Sequence, residues 1–408
     1  MKQRITPVTL RYMMITAAFW MAFCIISTYA AVFLKGIGYT NQELGLILAA
    51  GCLGGSILGP LLGAWIDRNR RVKHATVVYG LLALQAVMLL LLRFNPHKGV
   101  LSAVCYALYI TFLMPVNAIN LDMDLRLEHA GLPLNFGLAR SMGSFAFVII
   151  STLLGLWVEA SSFLVIPWAA LGIVAFQALG NTLIARDLKI ADASPSAQIT
   201  EKEKSSSLPA FIRQNKAFCL MLFGTILIYI AHNTDGNFLI DLVENVGGTE
   251  STLGLLAAFT AIVEVPVMMF SARLPSKWPK VAYIRFAFIM FVFKTLAYAL
   301  APNIPLLFAA RMLQAPSYAL YTVLVVSYAD QVVPRRDSAK AQSLVYSMTT
   351  IGSVLASLLG GRMFDVSGVK PTMLAASAVC AVGAAIAVLA TLMKGMGGKT
   401  EQPELTRT

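Results

Sequence analysis

The sequence predicts an all-α membrane protein of twelve transmembrane helices, arranged as two pseudo-symmetric six-helix bundles. The chain of 408 residues is 58% hydrophobic and only 13% charged, so it has too little polar surface to cover a soluble globule. Twelve apolar runs each reach the length of about 20 residues that a helix needs to cross the hydrocarbon. A repeated segment relates the first six runs to the second six. Lipid is therefore expected to be the main solvent of the protein.

The twelve runs fall into two groups of six. They lie near residues 10–34, 43–66, 73–94, 98–123, 136–159 and 161–185, and then near 214–240, 251–273, 281–302, 304–329, 338–362 and 369–393. The first run follows Lys2 and Arg4 and could be a signal peptide, but it is too long and lacks a clear A-x-A cleavage site. We therefore assign it as helix 1.

A polar segment separates the two groups of helices. It contains Asp192, Pro195 and the charged run Glu201–Lys204, a composition typical of a solvated linker. We predict an N-terminal bundle, a cytoplasmic linker, a C-terminal bundle and a cytoplasmic tail, at residues 1–185, 186–213, 214–393 and 394–408.

The basic residues indicate the topology. The net charge of +12 could suggest a nucleic-acid partner, but most Lys and Arg residues lie in termini, linker and short loops on one predicted side of the membrane. This distribution predicts a multi-pass protein of the bacterial inner membrane with both termini in the cytoplasm, and a lipid bilayer rather than nucleic acid as its partner. The five cysteines lie singly in apolar stretches, so no disulfide framework, metal site or other cofactor is expected.

The repeated segment lies at the start of the second helix of each group. Gly38-Tyr-Thr-Asn-Gln-Glu-Leu-Gly45 recurs as Gly247-Gly-Thr-Glu-Ser-Thr-Leu-Gly254. A threonine can cap each helix start, and the glycines allow neighbouring helices to approach closely. The repeated segment lies at the same place in each half, which indicates an internal duplication.

Six ionisable residues are predicted to lie inside the helices. Such a group is costly in hydrocarbon unless it faces a partner or a wet cavity. They are Asp122, Arg140, Asp235, Glu264, Lys294 and Arg311. Since helices 8 and 9 run antiparallel, Glu264 and Lys294 could meet or share a water, and Pro266 would open the helix wall beside Glu264.

Each of these charges has two possible roles. Asp235 and Arg311 could form a pair that only locks helix packing, and His232, three residues before Asp235, could carry protons or be an ordinary polar residue. Arg140 could hold a carboxylate or two sugar hydroxyls bidentately, while Asp122 could accept from hydroxyl donors. Aromatic side chains could stack on a ring or simply pack in the core. They are Trp20, Phe145, Phe147, Tyr298, Tyr318 and Tyr321.

The loop after helix 2 resembles a known signature. Gly63-Ala-Trp-Ile-Asp67-Arg68-Asn-Arg70-Arg71 is similar to G-x-x-x-D-R-x-G-R-R of the major facilitator superfamily, with Arg70 at the second glycine. The resemblance implies the major facilitator fold and a cytoplasmic gate formed by Gly63, Asp67, Arg68 and Arg71. A basic topogenic loop is the alternative.

Helices 4 and 5 resemble the lactose permease and phenylpropionate permease group of proton symporters. The resemblance rests on Asp122 and on Arg140 within Asn135-Phe-Gly-Leu-Ala-Arg140-Ser-Met-Gly143. In that group an acid and an arginine at these places form the centre of the substrate site. By the same resemblance, Asp235 and Arg311 match an interhelical charge pair, and Glu264 and Lys294 lie near a cavity carboxylate and cation.

The chain also departs from that group. Gln314 and Ser317 stand where the lactose permease has His and Glu, and Phe147 stands where the sugar permeases place a stacking tryptophan. The substrate-binding candidates are Asp122, Arg140, Phe147, Lys294, Gln314 and Tyr318. The proton-coupling candidates are Glu264, Asp235 and His232.

These features predict a secondary transporter rather than an enzyme. The sequence contains no G-x-x-x-x-G-K-[ST] loop for ATP and no hydrolase, zinc or kinase pattern. We expect a monomer that takes up a sugar, oligosaccharide or nucleoside with protons by alternating access. The alternatives are uptake of an aromatic monocarboxylate, such as phenylpropionate, and proton-driven efflux of a metabolite or drug.

Overall fold

The computed structural model of the chain describes residues 6–69, 73–132, 134, 136–192, 206–270, 278–393 and 396. Nearly all of these residues are helical. The long helices are α1 Pro7–Thr28, α2 Asn41–Arg68, α3 His74–Phe94, α4 Val100–His129, α5 Phe136–Ala160, α6 Ile166–Asp192, α7 Lys216–Asn237, α8 Glu250–Phe270 and α9 Lys280–Leu300. The chain continues with the interrupted α10, formed by Ile304–Met312, Ala315–Ala319 and Leu320–Val332, and with α11 Ser338–Ser367 and α12 Val369–Leu392.

Eleven of the helices in this described part are long and apolar enough to cross a membrane, and α10 is the twelfth, interrupted run. Its middle, Ala315–Ala319, is a π-helical turn in which Ala319 N–H donates to the Gln314 carbonyl, 3.1 Å away. Pro316 lies in this turn and has no N–H, so the regular hydrogen-bond ladder cannot pass through it. By contrast, α8 stays continuous through Pro266.

The first helix of each half ends in the same way. The run predicted as helix 1 breaks at Tyr29 and continues as a short helix, Ala30–Gly36. The run predicted as helix 7 breaks at Phe238 and continues as Leu239–Asn245. The segment predicted as a linker begins with helix, since α6 extends to Asp192. Residues 193–205 and most of the predicted tail lie outside the described residues.

Two helix crossings join the halves, with α2 packed against α11 and α5 packed against α8. A Cβ on Gly45 would collide with the backbone of Ser357, and a Cβ on Gly254 would collide with the backbone of Ser151. Both glycines belong to the segment that is repeated in the sequence. The duplication therefore places a close backbone contact at equivalent positions of the two crossings.

Carboxylates cap a helix of the opposite half at the end of each crossing. At the start of α2, Asp365 accepts hydrogen bonds from the backbone N–H groups of Asn41 (3.0 Å) and Gln42 (2.7 Å). At the start of α8, Glu159 accepts from Ser251 N–H and Thr249 Oγ1, both at 3.1 Å. Carboxylates at these positions satisfy free donors and complement the helix dipole.

These caps belong to a second repeat. Ser151, Gly155 and Glu159 of α5 have the same spacing as Ser357, Gly361 and Asp365 of α11.

The same end of the molecule holds an ion-pair cluster between the halves. Lys35 Nζ lies 3.1 Å from both Asp241 Oδ1 and Glu244 Oε2, and Asn41 Nδ2 donates to Asp241 Oδ1 at 3.0 Å. We call this end, with its two carboxylate caps and the Lys35 cluster, the latch end. Here the two halves are held together.

Candidate functional site

A cavity of about 470 Å³ lies between the two halves. Its lining comes from α1, α2, α4 and α5 of the first half and from α7, α8, α10 and α11 of the second. The volume falls in the usual range for small-molecule sites, about 300–1,000 Å³. The walls carry both aromatic and polar side chains, which suits a solute with an apolar face and several hydrogen-bonding groups.

Arg140 and Trp20 form the wall contributed by the first half. The guanidinium carbon of Arg140 lies 4.2 Å from the centroid of the Trp20 ring, which is a cation–π contact. Gly143, one turn after Arg140, leaves room for the indole. Among the described residues the guanidinium has no hydrogen-bond or ion-pair partner, and Phe147 also lines the cavity. This wall therefore offers a planar set of free donors beside aromatic surface.

The structure does not bring Asp122 to Arg140. Asp122 Oδ2 lies 2.6 Å from Nε2 of His74, at the start of α3, and 2.8 Å from Nε of Arg126, one turn along α4. It lies outside the cavity lining and ties α3 to α4. The spacing along the chain does not define how far each helix is rotated about its axis. In this structure the aromatic ring of Trp20 takes the place beside Arg140 that was expected for an acid.

Three charged side chains meet at the opposite wall, where Asp235 and Arg311 line the cavity and Lys294 lies behind them. Asp235 lies between two cations, with Lys294 Nζ 3.0 Å from its Oδ2 and Arg311 Nη1 3.2 Å from its Oδ1. Arg311 also donates to the Tyr298 hydroxyl at 2.9 Å. All three charged groups are buried. The expected Asp235–Arg311 contact is present, but Lys294 joins it, so the group is a triad rather than a pair.

Lys294 is also linked to three polar side chains of the cavity wall. Its Nζ lies 2.6 Å from His232 Nδ1 and 3.2 Å from Gln314 Oε1, and Gln314 Nε2 donates to Glu264 Oε1 at 2.9 Å. Lys294 was predicted to contact the substrate, but it is fully buried and lies behind the lining. Glu264 and Lys294 could have met or shared a water, and in the structure Gln314 bridges them instead.

His232, which precedes Asp235 by three residues, contacts Lys294 and not Asp235 in the structure. Its ring stacks on Tyr318 with 4.6 Å between centroids and an interplanar angle of 30°. His232 and Asp235 are three residues apart on α7, so their side chains lie on adjoining faces of the helix. Lys294 from α9 contacts both of them.

Most of the predicted site residues line the cavity. The structure brings together Arg140, Phe147, His232, Asp235, Glu264, Arg311, Gln314 and Tyr318. Sequence reasoning missed several polar lining residues, whose only signal is a hydroxyl or amide inside an apolar helix. They are Ser27, Ser56, Asn233, Asn237, Thr349, Thr350 and Ser353.

The predicted gate motif is only partly described. Gly63 lies within α2, and Arg68 is exposed in its last turn. Arg71 and the side chain of Asp67 lie outside the described residues.

The chain is similar to known transporters over most of its length. A family model described as the MFS_1-like family matches residues 11–375. A Deinococcus radiodurans protein, described provisionally as a sugar efflux transporter, is 26% identical over 363 residues, which cover 84% of this chain and 87% of that protein. A maltose permease of Geobacillus stearothermophilus is 24% identical over 233 residues, 57% of each chain. An Escherichia coli protein, described provisionally as a 3-phenylpropionic acid transporter, is 27% identical over 256 residues, 63% of this chain and 65% of that one.

Solved transporter structures share the fold. The nucleoside transporter NupG superposes with a TM-score of 0.73 at 14% identity, covering 95% of this chain and all of that one. The D-xylose–proton symporter superposes with a TM-score of 0.66 at 13% identity, covering 97% and 98%. These matches confirm the predicted major facilitator fold and the prediction of a transporter rather than an enzyme. The chain therefore belongs to the MFS_1-like family and is a multi-pass membrane transporter of the major facilitator superfamily.

Proposed function

We propose that the protein carries a small polyhydroxylated solute, a sugar or a nucleoside, across the bacterial inner membrane together with protons. The cavity between the halves carries this proposal, because it sets the free guanidinium of Arg140 and its Trp20 face opposite the Glu264 carboxylate. An aromatic ring can stack on one face of a sugar or base while hydroxyls and amides bind its edge. The names of the maltose, xylose and nucleoside transporters support this substrate class.

The proposed cycle is alternating access by two six-helix bundles, residues 1–185 and 214–393, in a monomer with both termini in the cytoplasm. In that orientation the latch end faces the periplasm, so the structure corresponds to a state closed on the outside. Opening the latch end would expose the cavity to external solute, and the two halves would rock about the midplane site. We propose uptake as the working direction.

Glu264 is the proposed proton carrier. It lies on the cavity wall of the second half, where one carboxylate oxygen accepts from the Gln314 amide. A conformational change that breaks this hydrogen bond would change the surroundings of the carboxyl group, which links proton movement to the change of state.

The experiment uses purified protein in proteoliposomes with maltose, D-xylose, uridine and 3-phenylpropionate. We expect an imposed pH gradient to drive accumulation of a sugar or of uridine. The Glu264→Gln variant mimics the protonated acid, so it should lose this accumulation and keep counterflow between equal concentrations. If the variant still accumulates solute in response to the gradient, Glu264 is not the coupling residue.

A second candidate substrate is an aromatic monocarboxylate. The unpaired guanidinium of Arg140 beside Trp20 and Phe147 could hold a carboxylate and an aromatic ring. Accumulation of 3-phenylpropionate alone would favour this candidate. Counterflow of sugars combined with expulsion under an inward proton gradient would instead indicate efflux.

A further inference from the structure

We propose that Lys294 is a positioning residue that sets the hydrogen-bond polarity of the cavity wall. It holds His232 in the tautomer whose Nε2–H donates into the cavity, and it orients the Gln314 amide so that its NH₂ group binds Glu264. The inference rests on the proposed function and deepens it. The wall then offers a donor and a carboxylate acceptor, a combination that selects hydroxyl groups.

The three contacts of Lys294 match the three donors of an ammonium group. An ammonium has three N–H donors and no acceptor. Its Nζ faces Asp235 Oδ2 at 3.0 Å, His232 Nδ1 at 2.6 Å and Gln314 Oε1 at 3.2 Å. The ion pair with Asp235 balances the charge of this fully buried group. The other two contacts are then hydrogen bonds in which Lys294 is the donor.

The tautomer of His232 follows from this contact. A nitrogen that accepts from an ammonium keeps its lone pair, so Nδ1 carries no proton. In a neutral imidazole the proton is then on Nε2. An imidazolium would place two donors against each other at 2.6 Å. Both the contact and the adjacent positive charge therefore keep this histidine neutral.

Aromatic packing fixes the ring plane of His232. The ring stacks on Tyr318 and meets Tyr229 and Phe291 edge to face, with centroids 5.6 Å and 5.7 Å away. His232 lines the cavity, and in the described part of the chain Nε2 has no hydrogen-bond partner. Its Nε2–H is thus a directed donor with no protein acceptor.

The same reasoning determines the orientation of the Gln314 amide group. Its oxygen accepts from Lys294, so its nitrogen must lie on the other side, where it donates to Glu264 Oε1. The second oxygen of Glu264 is left for the cavity. A solute hydroxyl can accept from His232 and donate to Glu264, whereas a carboxylate solute has no proton to donate to Glu264. This favours a polyol over a monocarboxylate at this wall.

The first test needs no ligand. ¹⁵N NMR of ring-labelled histidine, assigned with a His232→Asn sample, reports which nitrogen carries the proton. We expect a neutral ring protonated at Nε2 in the full-length protein at neutral pH. In Lys294→Met the ring should titrate and lose this single tautomer. A wild-type ring that is protonated at Nδ1, or charged, would overturn the proposal whatever the substrate is.

The second test compares two isosteres of His232. Glutamine places its amide nitrogen near the position of Nε2, whereas asparagine reaches only the position of Nδ1. The affinity of His232→Gln for maltose or uridine should therefore stay within a few-fold of wild type. The affinity of His232→Asn should fall about tenfold, as expected for the loss of one hydrogen bond. Equal losses in both variants would show that the donor is not used.

The binding test uses ligand-dependent thermal shifts, with unliganded melting as the control for folding. His232→Asn keeps an acceptor for Lys294, so a binding loss without a drop in the unliganded midpoint separates the donor role from a structural one. If maltose, D-xylose and uridine all fail to bind wild type, the proposed function fails. The NMR result still decides the tautomer in that case.

Discussion

The charge triad at the cavity wall predicts an unequal response to neutralisation. Among the residues that the structure describes, Asp235 is the one acid in contact with two buried cations, Lys294 at 3.0 Å and Arg311 at 3.2 Å. At an effective dielectric constant of about 20, each contact corresponds to about 5 kcal/mol of Coulomb energy. Asp235→Asn removes both contacts and leaves two buried cations unpaired. Arg311→Gln removes one contact and leaves a balanced Asp235–Lys294 pair.

Net effects on stability are smaller than these Coulomb terms, because desolvation opposes them. Leaving a buried charge unpaired costs about 3–5 kcal/mol, so Asp235→Asn should lower the free energy of unfolding by at least that much. Arg311→Gln should lose about 1.5–3 kcal/mol, the value of hydrogen bonds to charged groups. The double variant, with both Asp235→Asn and Arg311→Gln, relieves the repulsion between Lys294 and Arg311 but leaves Lys294 without its acid. From most to least stable, the expected order is wild type, Arg311→Gln, the double variant and then Asp235→Asn.

The assay is thermal unfolding in detergent with a thiol-reactive dye. It suits this protein because Cys24, Cys105 and Cys380 are buried and become reactive on unfolding. Asp122→Asn is the matched control, since its carboxylate is 45% exposed and should contribute less. If Asp235→Asn and Arg311→Gln melt at the same temperature, the count of unpaired charges does not determine stability and the reasoning is refuted.

Two further predictions concern the cavity and the latch end. Arg140→Lys keeps the charge but loses the planar fork and its stack on Trp20, so solute affinity should fall about tenfold or more at an unchanged melting midpoint; unchanged affinity would remove Arg140 from the site. Neutralising Glu159 and Asp365 together removes two carboxylate caps of about 0.5–2 kcal/mol each. Labelling of a cysteine placed in the cavity by an impermeant outside thiol reagent should then rise, and should stay at the wild-type level for Glu43→Gln, whose cap lies within one half. No rise in the double variant would show that these caps do not hold the latch end closed.

The sequence by itself determined the membrane fold. Helix formation in a bilayer depends on local properties, the length and apolarity of each run, because every backbone group must be satisfied within its own segment. The repeat at Gly45 and Gly254 likewise revealed the duplication, since both glycines serve one local purpose, close approach of a neighbouring helix. Four of the six charged residues inside apolar runs line the cavity, because such groups must face inward.

Only the tertiary structure decided which side chains meet. Asp122 and Arg140 have a suggestive spacing, yet Asp122 contacts His74 and Arg140 contacts Trp20. Contacts across helices depend on the rotation, tilt and register of each helix, which no single helix encodes. Lys294 likewise contacts three partners on other helices. Glu159 and Asp365 act as caps only because helix ends of the opposite half face them. Sequence thus determines which groups must be satisfied, whereas packing between helices selects the partner that satisfies each one.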